Sequence, residues 1–194
     1  MSYAYRSDDG REPGGGGADY ETWLRELSPL LRDGDNVLDL GCGCGMPATA
    51  WLAERYSVTG VDFSLVQIER ARRLVPGARF LAEDMATVRF PRARFAAIIS
   101  FFAIIHLPVE EQPGLFQRLH DWLKPGGHLL ATVGSGAWTG TDDDWHGAPM
   151  YWSHADRQTY LRWLHDAGFE VRWTRFIPEG MSGHTLLLAR RNRK

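Results

Sequence analysis

The chain has 194 residues, 44% of them hydrophobic, and a formal net charge of −2 at neutral pH. That supplies enough core for one folding domain, and a charge so near zero gives no footprint for nucleic acid or an anionic membrane. Only two cysteines occur, no apolar stretch is long enough to span a bilayer, and no charged-then-apolar leader opens the chain. The expectation is therefore a cytoplasmic protein in a reducing compartment.

Residues 1–18 are polar and include Pro13-Gly14-Gly15-Gly16-Gly17, which predicts a flexible arm ahead of a single domain over 19–194. Tyr20, Trp23, Leu24, Leu27 and Leu31 then recur at helical spacing, the stripe of a helix lying on a sheet. Val37–Leu40 reads as an apolar strand leading into Gly41-Cys42-Gly43-Cys44-Gly45, with Pro47 in the first turn of a new helix. Glycine at every second position lets the backbone take positive φ and lets a ligand approach where a Cβ would collide. The pattern is a strand–loop–helix nucleotide cradle. A dinucleotide fold asks for a third glycine at position 46, where this chain has Met46. Cys42 and Cys44 are too close for an unstrained disulfide and lack partners at zinc-site spacing, so they read as small loop residues.

Ser57–Asp62 is a second strand ending in an acid, followed by Phe63 and a helix capped by Ser64. An acid at that tip can accept hydrogen bonds from both ribose hydroxyls. A third strand, Phe80–Asp84, leads to Met85. Ala96-Ala97-Ile98-Ile99-Ser100-Phe101-Phe102 lies in a nearly continuous apolar run, as a strand buried on both faces requires. Leu123-Lys124-Pro125-Gly126-Gly127 closes a helix and turns into the strand His128–Val133. An aromatic connection follows, from Gly134 to Trp152, and then a helix capped by Ser153 and ended by Gly168. Phe169–Ile177 and His184–Ala189 read as the last strands. Strands and helices alternate throughout, the signature of a doubly wound α/β sheet.

Asp39-x-Gly41-x-Gly43-x-Gly45, Asp62 at the second strand tip, Glu83-Asp84-Met85 after the third strand, the apolar fourth strand and Lys-Pro-Gly-Gly before the fifth stand in one order over residues 37–134. Together they resemble the class I (Rossmann-like) S-adenosylmethionine-dependent methyltransferases, in particular short bacterial small-molecule enzymes carrying an aromatic segment like Pro149–His154. The resemblance implies a seven-stranded, mostly parallel sheet of order 3-2-1-4-5-7-6 with the last strand antiparallel, and makes 19–194 the methyltransferase domain. It implies S-adenosylmethionine as cofactor, with S-adenosylhomocysteine as product. Cofactor-binding expectations are Tyr20, Asp39, Gly41, Gly43, Gly45, Asp62, Phe63, Asp84, Met85 and Ser100; Asp84 would read the adenine amino group and Met85 pack on the ring.

The methyl acceptor would lie beyond the carboxyl ends of the strands. Trp138, Trp145, Met150 and Trp152 could wall a flat apolar pocket, joined by His154 and His184. Aromatics in a long connection can equally pin it to the core. His106 follows the central strand and is the first choice for a general base, since histidine titrates near neutral pH; a structural role for it stays open. His120, His128 and His165 fall in element bodies and read as structural. The fourth strand ends in Ser100-Phe101-Phe102-Ala103, not the Asn/Asp-Pro-Pro-Tyr/Phe of nucleobase amino-methylases, and Asp142–Asp144 alone make no oxygen cage for a metal. The expectation is methyl transfer to oxygen or nitrogen of a small aromatic or hydrophobic molecule by a monomer or homodimer, without metal, nucleic acid or membrane. Three alternatives stay open: a cofactor-binding protein without transfer, such as a cyclase; a nicotinamide-dependent oxidoreductase, which Met46 argues against; and a methylase of macromolecules.

Overall fold

A computed structural model describes residues 20–145, 148–179 and 182–193, with Trp145 and Ala148 described by backbone alone. The expected arm at 1–18 lies outside the described residues. Seven strands form one sheet of order β3-β2-β1-β4-β5-β9-β8, where β1 is Asn36–Leu40, β2 Ser57–Asp62, β3 Arg79–Ala82, β4 Phe95–Ser100, β5 Leu123–Gly134, β8 Phe169–Glu179 and β9 Ser182–Arg191. This is the expected order, with the last two strands renumbered because a hairpin precedes them. The backbone divides into two compact units at Arg89/Phe90.

In the first unit, β1 pairs with β2 and β2 with β3, both parallel. Helices α1 (Tyr20–Leu27), α2 (Ala48–Ala53) and α3 (Leu65–Leu74) connect and cover them. Tyr20, Trp23, Leu24 and Leu27 are the buried face of α1, as the spacing predicts. Ser64 caps α3, its hydroxyl accepting from the Gln67 N–H. Pro47 stands one residue before α2, not inside its first turn. Ile68, Ala71, Val75 and Phe80 form a core cluster against which Cys42 and Met46 pack. Met46, where a dinucleotide fold needs a glycine, is thus used for apolar packing.

In the second unit, β4 pairs parallel to β5, while β9 is antiparallel to both β5 and β8. Phe95, Ala97, Ile98 and Ile99 are each at most 1% exposed, the burial that the continuous apolar run requires. Helices α4 (Gln112–Trp122) and α5 (Arg157–Asp166) complete the unit. Three expectations are corrected here. The aromatic connection is an antiparallel hairpin, β6 (Trp138–Trp145) with β7 (Ala148–His154), pairing Trp138 with His154 and Gly140 with Trp152. Ser153 lies inside β7, and α5 is capped by Asp156, whose carboxylate accepts from the Thr159 N–H at 2.8 Å. Lys124-Pro125-Gly126-Gly127 belongs to the start of β5.

Candidate functional site

The glycine loop in the first unit is built from below by a buried acid. Asp39 is 3% exposed, and its carboxylate accepts the Thr49 hydroxyl proton at 2.5 Å, tying β1 to α2. Above it, Gly41, Gly43 and Gly45 take φ values of +82°, +54° and +80°. Three alternating left-handed residues would strain any other side chain, which is why glycine recurs at every second position. Gly41 N–H and Cys42 N–H donate to the Val61 carbonyl, at 2.7 and 3.0 Å, and fix the loop on β2. The Gly43 N–H donates to Oδ2 of Asp62 at 3.0 Å, while Oδ1 accepts from Ser64 N–H at 2.9 Å.

These residues fit the cofactor. Among the described residues a Cβ placed on Gly43 would meet nothing within 4 Å, so they leave that face of the loop open for a ligand to approach the backbone. An ionised carboxylate offers about four acceptor positions, and backbone bonds take two of those of Asp62, leaving room for ribose hydroxyls. Burial pushes the Asp62 carboxyl upward, and its two N–H bonds oppose that shift. Asp84 is exposed at the end of β3, with Oδ1 accepting from Ala86 N–H at 2.7 Å, and Met85 is half-buried beside it. Phe63 is 61% exposed. Tyr20 is buried with its ring 5.4 Å from that of Trp23, and Ser100 is fully buried at the end of β4. Burial raises the Cys42 thiol well above its ordinary range, with Asp39 and Asp62 adding to the effect, so this thiol stays protonated.

In the second unit His106 and His184 flank Trp152, and His154 lies beside His184. His106 ends a 3-10 turn, Ile104–His106, and its ring lies 4.5 Å from Trp152. His184 lies 6.3 Å from Trp152 in a stacked arrangement and 6.3 Å from His154. Phe102 meets His184 edge-on at 5.2 Å, and Trp138 lies 6.2 Å from His154. Trp152, Met150 and His184 are buried, whereas Trp138 is 48% exposed. The expected acceptor residues Trp138, Met150, Trp152, His154 and His184 therefore lie with His106 in this unit; the Trp145 side chain lies outside the described set.

Hydrogen bonding fixes two of the tautomers. His106 Nδ1 is 2.7 Å from the Tyr151 carbonyl, and His154 Nδ1 is 2.6 Å from the Gly136 carbonyl. A carbonyl oxygen only accepts, so in each ring Nδ1 carries the proton and Nε2 is the basic nitrogen. Burial holds both imidazoles below their ordinary range, and the nearby His184 adds to this. His120, His128 and His165 stand away from this group: His120 packs edge-on against Phe169, and His165 is exposed beside Asp166. Among the described residues no three His, Cys, Asp or Glu side chains converge to hold a metal ion, and no helix is long and apolar enough to cross a membrane.

Sequence reasoning missed three residues here. Gln112 is fully buried, and its Nε2 reaches the carbonyls of Ile104, Leu107 and Ser153 at 3.1, 2.7 and 2.7 Å, while Oε1 accepts the Tyr160 hydroxyl at 2.7 Å. It latches the turn that carries His106 to β7 and α5. A signal existed: Gln112 is the polar member of the buried stripe Gln112, Leu115, Phe116, Leu119. Phe102 holds a left-handed φ of +50°, and its N–H donates to the Thr132 hydroxyl at 2.5 Å. Glu179 places Oε2 2.9 Å from His184 Nδ1.

A family described as "Methyltransferase domain" matches residues 37–127, from β1 to the start of β5. A solved S-adenosylmethionine-dependent methyltransferase from Methanosarcina mazei superposes with a TM-score of 0.76 at 18% identity, covering 87% of this chain and 98% of its own. The chain has the fold of the S-adenosylmethionine-dependent methyltransferases, and its residues 37–127 match a methyltransferase domain. A Mesorhizobium loti methyltransferase shares the fold at a TM-score of 0.69 and 24% identity, covering 86% of this chain and 96% of its own. Among curated relatives, phosphoethanolamine N-methyltransferase 3 of Arabidopsis thaliana is 34% identical over 148 residues, 72% of this chain and 30% of its own length. The 2-methyl-6-phytyl-1,4-hydroquinone methyltransferase of a Synechocystis strain is 32% identical over 142 residues, 71% of this chain and 42% of its own. The chain spans less than half the length of these curated methyltransferases.

Proposed function

We propose that the chain transfers the methyl group of S-adenosylmethionine to an oxygen or nitrogen of a small aromatic or hydrophobic molecule. The observation that carries this reading is the Asp62 carboxylate held on Gly43 N–H beside a glycine loop with an open face. In it, Gly41, Gly43 and Gly45 receive the methionine end of the cofactor, Asp62 the ribose, Asp84 the adenine amino group, and Met85 and Phe63 the ring. Asp39 supports the loop from beneath, Tyr20 is buried on α1 of the same unit, and Ser100 is buried at the end of β4. The bound sulfonium supplies a methyl group on a leaving group that is already cationic. The protein's part is then alignment and exclusion of water, and alignment of this kind is worth on the order of 7–11 kcal/mol.

Trp138, Met150 and Trp152 form the apolar wall for the acceptor, with His106, His154 and His184 as its polar members. Named relatives act on phosphoethanolamine and on a hydroquinone, which supports small acceptors that include an amine and an aromatic ring. A monomer or homodimer suffices, because each group of residues is built within one chain, and the two free thiols suit a reducing cytoplasm. Incubation with S-adenosylmethionine and a panel of phenols and amines, read by mass spectrometry, tests the reading. It requires S-adenosylhomocysteine together with a product heavier by one methyl group replacing hydrogen. A rearranged product of unchanged mass would instead mark a cyclase.

A further inference from the structure

Strands β6 and β7 form a two-stranded sheet of their own, apart from the seven-stranded sheet. A hairpin of two strands is marginally stable alone, so the place of Met150 and Trp152 has to be set by contacts from elsewhere in the second unit. The two residues flanking Trp152 carry them. The Tyr151 carbonyl accepts from His106 Nδ1 at 2.7 Å, the Ser153 hydroxyl from Val109 N–H at 2.9 Å, and the Ser153 carbonyl from Gln112 Nε2 at 2.7 Å. These partners stand at every third position of one segment, which runs from the 3-10 turn into α4. We propose that Ser153 and Gln112 are positioning residues for the methyl acceptor, clasping β7 so that Trp152 is a preformed wall beside His106 and the hairpin is not a lid. The assignment rests on the methyltransferase reading above and concerns the second unit alone.

Ser153 is the joint of the clasp. It is fully buried, and its hydroxyl, besides accepting from Val109 N–H, shares a hydrogen bond with the Thr139 hydroxyl of β6 at 3.2 Å. One side chain thereby ties both strands of the hairpin to the segment that carries His106. Side chains alternate along a strand, so the Ser153 hydroxyl leaves one face of β7 while Met150 and Trp152 leave the other. Fastening the first face aims the second.

Gln112 fixes the other partner. Its Nε2 also reaches the carbonyls of Ile104 and Leu107, at 3.1 and 2.7 Å, which bracket His106, so the same amide holds the turn and the strand together. The outcome is a His106 ring 4.5 Å from that of Trp152. Apolar residues at positions 112 and 153 would fill the same space; a satisfied buried polar network adds little net stability over them but specifies one arrangement. That is what an acceptor wall needs. A wall ordered in advance spares the ordering cost of binding, and a misplacement of about 1 Å can cost about a hundredfold in rate.

Steady-state kinetics of the wild type and Ser153→Ala test this, with 1,4-hydroquinone and benzylamine heading the panel of phenols and amines and with S-adenosylhomocysteine affinity measured on each protein by calorimetry. Ser153→Ala keeps the carbonyl bond to Gln112. It should raise the acceptor KM about tenfold, the effect of losing one hydrogen bond that aims a binding group, and leave S-adenosylhomocysteine affinity within about twofold, since the glycine loop lies in the first unit. Gln112→Leu, assayed below its lowered melting temperature, should raise the acceptor KM further. Residues that only hold the fold together would lower the melting temperature of both variants without moving the acceptor KM of the folded protein, and that result overturns the assignment alone. A wild type that binds S-adenosylhomocysteine but methylates no member of the panel overturns the methyltransferase reading, and the assignment with it.

Discussion

Replacing Gln112 by Leu removes a side chain of similar size that makes four polar contacts in an interior where Gln112 and Tyr160 are both 0% exposed. The Ile104 carbonyl keeps a second donor, Leu107 N–H at 3.0 Å, so the losses that matter fall on the Leu107 and Ser153 carbonyls and the Tyr160 hydroxyl. A buried polar group that loses its partner costs about 1–3 kcal/mol, and the leucine side chain recovers some of the total through apolar burial, for a net loss of about 4 kcal/mol. For a chain of this size that corresponds to a fall in melting temperature of about 8–16 °C. Tyr160→Phe alone should cost about 1 kcal/mol, and far less in the Gln112→Leu background, where the hydroxyl has already lost its acceptor; the cycle should show coupling approaching about 1 kcal/mol. Differential scanning calorimetry of the four proteins measures each term. A Gln112→Leu melting temperature within about 2 °C of wild type would refute the latch, since that is less than 1 kcal/mol.

Gly43→Ala separates the loop's two roles: φ of +54° costs an alanine about 1 kcal/mol, yet its Cβ meets no atom of the described residues within 4 Å. Melting should fall by only about 2–4 °C while S-adenosylhomocysteine affinity falls at least about tenfold by calorimetry, the effect of a methyl in the path of a ligand. Gly60→Ala should do the reverse, because its Cβ would lie 2.7 Å from Phe80 and 2.9 Å from Cys42 Sγ. Overpacking of that kind costs about 1–3 kcal/mol, read as a lower melting temperature. For pH dependence, His106 and His154 are both held below 6.5 by burial. Below that pH the unfolded chain binds protons that the folded chain refuses, so stability is lost as pH falls from 6.5 toward the depressed values, by at most about 1.4 kcal/mol per pH unit for each ring. His106→Gln should flatten that fall between about pH 6.5 and pH 5 in thermal melts, and an unchanged slope would contradict the burial argument.

The cradle was legible in the sequence because its physics is local. Alternating glycines, an acid two residues earlier and an acid at the next strand tip report backbone conformation directly, and the three positive φ values follow. The apolar run before Ser100 declared a central strand for the same reason. The hairpin β6–β7 was not legible: Gly140, Asp142–Asp144 and Pro149 are weak strand formers, and their pairing comes from burying Met150 and Trp152 and from Ser153, whose hydroxyl accepts Val109 N–H at 2.9 Å. Ser153 looked like a helix cap because serine is a good one, but its partner lies 44 residues earlier in the chain. Glu179 carried no signal at all, since its approach to His184 depends on the register of β8 with β9. Gln112 carried one, a lone amide in a buried helical stripe.

The central claim is that the glycine loop and Asp62 hold S-adenosylmethionine, and isothermal titration of the wild-type and Asp62→Ala proteins with S-adenosylhomocysteine tests it most directly. The expected result is binding at about micromolar affinity in the wild type and a loss of at least about tenfold in a variant that remains folded, about 1.4 kcal/mol or more for the ribose contacts. Absence of binding to the folded wild-type protein, or equal affinity in the two proteins, would contradict it.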